Sequence, residues 1–144
     1  MDFGFIDGLH LFEQVLRDFV NLERSCDANT VVLFHDCMPL DPETATRERT
    51  TDFYSGDVWK AVLAVRRSRP ELKMVMVPTA PTGLCLVRGL DPEASQFADA
   101  LPEIVDTYQD LDFDYYTAHR EEMPAQIDNR VKAVGDWLRG TRAD

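Results

Sequence analysis

An α/β fold built partly from parallel strands follows from three features of the sequence. Two short apolar runs, Phe3 to Ile6 and Val31 to Phe34, each end in polar, metal-competent side chains: Asp7 and His10 after the first, His35 and Asp36 after the second. Between them Phe12, Val15, Leu16, Phe19 and Val20 recur at helical spacing. The unit therefore reads as strand (2–7), crossover helix (9–25) and strand (30–35), a connection that makes the two strands parallel neighbours. Further on, Leu72 to Val77 and Leu84 to Val87 are rich in β-formers and flank a turn at 78–83, which predicts an antiparallel hairpin. Open α/β sheets place their ligands at strand C-termini, so Asp7, His10, His35 and Asp36 are expected to converge.

The remaining elements follow in chain order. Cys26 to Asn29 is a turn signal before the second strand. Residues 36–56 are polar and punctuated by Pro39 and Pro42, and predict a flexible loop over the site. Its two cations, Arg47 and Arg49, are read as solvated rather than as anchors for an anionic substrate. Asp57 is placed to cap a helix whose apolar face is Val58, Trp59, Val62, Leu63 and Val65, ending before Pro70, with Trp59 in the core. Residues 91–144 form a helical C-terminal extension: Phe97, Leu101, Ile104, Val105 and Tyr108 mark one stretch, and Ile127, Val131, Val134, Trp137 and Leu138 a final amphipathic helix. Leu111 to Tyr116, acidic and aromatic, reads as a short strand or an interaction segment.

Composition narrows the function. A chain of 144 residues with 44% hydrophobic content suffices for one domain, 1–144. Fifteen basic residues against 26 acidic ones give a net charge of −11, which repels nucleic acid and anionic lipid. No apolar run approaches the ~18 residues of a membrane span, and no basic-flanked leader opens the sequence, so a cytoplasmic location is expected. Cys26, Cys37 and Cys85 lack CxxC spacing and fit reduced thiols.

Each candidate residue also has a structural reading. Asp7 could cap the following helix, His10 falls in that helix's first turn, and Asp36 could open an Asx-turn. Cys37 is read as a partly buried thiol rather than a soft ligand, and His119 as solvent-facing.

The run FIDGLH, a helix containing LRDFVNLER, and then VVLFHDCMP resembles the second half of class I S-adenosylmethionine-dependent methyltransferases, nearest to the sugar and macrolide O-methyltransferases and the cephalosporin-hydroxylase-like group. The resemblance covers roughly residues 2–90. It implies a partial Rossmann-like sheet of about four strands, the last antiparallel, in the order first, second, fourth, third. It also implies a divalent cation held by Asp7, His35 and Asp36, with His10 as base toward the hydroxyl of a small-molecule acceptor. Position 35 is usually acidic or amide-bearing in that family; Mg prefers oxygen ligands, while an imidazole there suits Zn, Mn, Fe or Ni better.

In the resembling enzymes the methyl donor sits mainly on a Gly-rich turn after the first strand of the full sheet. The seven glycines here form no such turn. The expectation is a truncated methyltransferase-like domain, inactive alone, whose S-adenosylmethionine site is completed elsewhere. The strand at 2–7 would then expose an edge with Phe3, Phe5 and Ile6 toward water, inviting a homodimer or a complementing protein half. Two other classes fit the same residues, a non-catalytic assembly module and a metal-dependent hydrolase.

Overall fold

The computed structural model describes residues 1–140. Four strands, β1 (Phe3–Ile6), β2 (Val31–His35), β3 (Lys73–Val77) and β4 (Leu84–Arg88), form one sheet in the order β1-β2-β4-β3. β1 and β2 are parallel, with Phe3 opposite Val31 and Ile6 opposite Phe34. β4 runs antiparallel to both β2 and β3. The expected α/β sheet, with its reversed last strand, is therefore what the chain forms.

α1 (Phe12–Glu23) makes the crossover between β1 and β2, and α2 (Trp59–Ser68) precedes β3. Both pack on one face of the sheet. There Phe12, Leu16, Phe19, Val32, Phe34, Trp59, Val62 and Val87 form a continuous buried core, with Phe19 and Phe34 in ring contact at 5.4 Å. A close approach marks the first crossover: a Cβ on Gly4 would stand 2.5 Å from a Leu22 methyl, so Leu22 of α1 seats directly over Gly4 and would have to shift for any larger residue. Helices α3 (Gln96–Asp99), α4 (Leu101–Tyr108) and α5 (Phe113–Ala118), then a 3₁₀ turn (Arg120–Glu122), extend this layer.

The second face is covered differently. α6 (Val131–Gly140) and the segment before it bring Ile127, Val134, Trp137 and Leu138 onto Val75, Val77 and Leu86. That cover reaches β3 and β4. On β1, Phe3 and Phe5 remain 57% and 50% exposed on the same face.

Several sequence expectations need correcting. Leu111 to Tyr116 is no strand: Asp112 accepts a hydrogen bond from the Tyr115 amide at 2.9 Å and starts α5. Ile6 does not face water but is buried, because alternate strand residues point to opposite faces. α1 begins at Phe12, so His10 precedes the helix, in a left-handed conformation with φ 58°. Asp57 does not cap α2. Its carboxylate accepts from the Phe12 amide at 2.9 Å and thereby caps α1, 45 residues back in the chain. Arg47 is exposed as expected but also paired: it forms a two-pronged bond to Glu13 (2.6 and 3.0 Å) and reaches Asp57 at 2.8 Å. His119 is half-buried, stacked on Tyr115 at 3.8 Å. No helix among the described residues is long and apolar enough to cross a membrane.

Candidate active site at the strand C-termini

Strand geometry brings the four predicted residues together. Asp7 leaves the end of β1, and His35 and Asp36 end the adjacent β2 in parallel register. His10 returns over them because its own backbone turns left-handed. Asp36 does the same, also at φ 58°. Such a conformation costs a non-glycine residue about 1 kcal/mol or more and clusters at functional positions.

The side chains alternate nitrogen and oxygen. His10 Nε2 lies 3.5 Å from Asp7 Oδ1 and 3.2 Å from Asp36 Oδ2. His35 Nδ1 lies 3.4 and 3.1 Å from the same two oxygens. Asp36 is buried, and its second oxygen accepts from Thr82 Oγ1 at 2.5 Å, which fixes the carboxylate's orientation from β4's side of the sheet. Asp7 is more exposed and caps nothing: the α1 amide it might have served bonds Asp57 instead.

His10 is held from behind. Its Nδ1 faces the Tyr54 carbonyl at 3.1 Å, its ring stacks on the Tyr54 ring at 5.7 Å, and the Asp57 amide donates to its own carbonyl at 3.2 Å. Gly56 completes this cradle. It adopts φ 65°, and a Cβ there would stand 2.0 Å from the His10 oxygen, so only glycine lets the 36–57 segment close on the imidazole. This cradle was invisible to sequence reasoning; its one signal was Gly56 directly before Asp57.

These contacts leave a charge problem. A carbonyl can only accept, so Nδ1 of His10 must carry a proton, and Nε2 then faces two carboxylate oxygens. His35 Nδ1 is buried, faces the same two oxygens and makes no aligned hydrogen bond. Four acceptor-rich atoms converging this way are satisfied by protons on both rings or by a cation among them. The residues fit a cation: atoms bound to one ion at ~2.1 Å stand ~3.0–3.4 Å apart when adjacent, close to the spacings found. Asp7, His10 and Asp36 offer ligand atoms all within 4.8 Å of one another, and His35 joins through the two carboxylates. Mixed imidazole and carboxylate ligands favour Mn or Zn over Mg.

Cys37, next in sequence, is not a ligand here. It is fully buried, donates to the Phe34 carbonyl at 3.1 Å, and burial pushes its thiol well above its ordinary range. A methyl-donor cradle is not found among the described residues: the glycines with positive φ, at 56, 83 and 89, stand far apart in the chain rather than together in a strand-to-helix loop. The chain's own residues thus fit a cation and do not fit the donor.

Comparison with curated proteins and with solved structures finds no match. Residues 1–37 match the family model described as a methyltransferase domain. That stretch spans β1, α1 and β2 and contains Asp7, His10, His35 and Asp36, while Tyr54, Gly56, Asp57 and Thr82, which support them, lie outside it.

Proposed function

We propose that this chain carries the acceptor-activating part of a metal-assisted O-methyltransferase, with the methyl donor held by another polypeptide segment. The observation behind this reading is the alternating ring of Asp7, His10, Asp36 and His35 within the matched stretch. Asp7, Asp36 and His35 would hold a divalent cation. Bound there, such an ion supplies a Lewis acid that lowers the pKa of an acceptor hydroxyl. His10 takes the released proton at Nε2, the nitrogen its Tyr54 contact leaves free. Thr82 keeps Asp36 aimed at the site during the exchange. No step through the methyl donor is assigned to these residues.

A donor element outside the described residues would give the exposed edge a role. β1 pairs with β2 alone among the described strands, and Phe3 and Phe5 lie on its uncovered face. A donor-holding protein half, or a second copy of the chain, would add there by strand pairing.

Calorimetric titration with Mn²⁺, at a concentration where light scattering has fixed the oligomeric state, tests both parts. Micromolar binding to the wild type, lost in Asp36→Ala, is the expected result, together with a dimer. Equal binding by Asp36→Ala would remove the cation site from this cluster. A monomer at micromolar concentration would remove self-pairing through β1, leaving the complementing half.

A further inference from the structure

The hollows of the molecule differ in electrical sign. One, about 700 Å³ beside α4, carries Glu71, Asp91, Glu93 and Glu103 against Arg69. A second, about 370 Å³, opens where the β3–β4 turn meets residues 38–40 and the segment 116–126. In a chain with 26 acidic residues its lining contains none, and its single charge is Arg120.

We infer that this second cavity binds a small aromatic carboxylate. Its volume suits a compact organic ligand. The walls are Met38, Met76, Met123 and Tyr116 with four prolines, and thioethers make favourable contacts with aromatic rings. The Arg120 guanidinium lies 5.1 Å from the Tyr116 ring centroid, and Arg120 enters none of the ion pairs among the described residues. A guanidinium carries five N–H donors, so the contact with Tyr116, which includes its hydroxyl, leaves others for a carboxylate. The anion is thus recognised by charge and the body by apolar, polarisable walls.

The cavity is joined to the acidic and histidine cluster. Met38, in its wall, donates its amide to the Thr82 carbonyl at 2.7 Å, and the Thr82 hydroxyl holds Asp36. A ligand seated against Met38 and Gly83 therefore touches the same two segments that orient Asp36. Identifying it with the acceptor rests on the proposed function; the binding itself does not.

The five methionines supply the test, since three line the cavity and two, Met1 and Met74, do not. Chain labelled with ¹³C at the methionine methyls is titrated with 4-hydroxybenzoate, and in parallel with the neutral 4-hydroxybenzamide. Saturable shifts of Met38, Met76 and Met123, with Met1 and Met74 unmoved, are expected. Arg120→Met should weaken the acid about fivefold and leave the amide unchanged; unshifted Met1 and Met74 signals in that variant report an intact fold. Absence of saturable shifts, shifts confined to Met1 or Met74, or equal weakening of acid and amide would each overturn the proposal. Benzoate binding that persists while Mn²⁺ binding is absent would sink the catalytic reading and leave this one standing.

Discussion

The two ends of the sheet both bury polar groups, and they treat them in opposite ways. At the end where β4 finishes and β3 begins, Arg69 meets Glu23 through two bonds of 3.0 Å and also pairs with Glu71, while Glu23 receives the Asp91 amide. The two buried charges there, Arg69 and Glu23, answer each other directly. At the other end, Asp7 and Asp36 stand together and two imidazoles present nitrogens to the same oxygens, on a backbone that is left-handed at His10 and Asp36. A polar cluster that balances itself stabilises a fold. One that needs an added proton or cation, and takes up backbone strain to assemble, is the arrangement the proposed cation site calls for.

The largest expected effect breaks the balanced end. Glu23→Ala leaves Arg69 buried with only the exposed Glu71 as partner, and should cost about 3 kcal/mol in urea unfolding. The matching change at the other end, Asp7→Asn, should move stability by less than about 1 kcal/mol with chelator present. Equal losses would erase the distinction. Next, Gly56→Ala forces a side chain against the His10 carbonyl at a positive φ. It should cost about 1–3 kcal/mol and, unlike Glu23→Ala, also weaken Mn²⁺ binding, because His10 loses its cradle. Retained binding would mean that the 36–57 segment does not position the imidazole.

The smallest effect concerns pH. Arg47 holds the Glu13 carboxyl below its ordinary value of 4.5, chiefly by hydrogen bonding. The unfolded chain therefore takes up this proton first as pH falls. The pair's contribution is full above 4.5 and fades as pH drops through the lower folded-state value. The stability difference between wild type and Arg47→Met should shrink between pH 6 and pH 3.5, from a start below about 1 kcal/mol. A constant difference would show that the Arg47–Glu13 contact adds no stability.

Local patterns carried most of the architecture. Helical spacing between two apolar runs identified β1, α1 and β2, and strand ends located Asp7, His10, His35 and Asp36, because those signals act over a few residues. What escaped was long-range. Asp57 looks like a cap for the helix it precedes, but Val58 enters α2 in helical conformation without a side-chain cap, and the carboxylate serves Phe12 instead. Arg47 finds Glu13 34 residues away. The Asp112 cap is a different case: Asp before Phe113 is a local start signal, and the acidic, aromatic composition of 111–116 drew attention from it.

The arrangement of α6 has a consequence during synthesis. Arg88, in the last strand, bonds the carbonyl of Leu138, 50 residues later, and those intervening residues must be translated before the second sheet face is covered. At ribosomal speeds of ~5–20 residues per second, Val75, Val77 and Leu86 wait roughly three to ten seconds without their cover. The nascent sheet therefore depends for that interval on whatever the cell offers to shield apolar surface, and Phe3 and Phe5 keep that dependence after the chain is released.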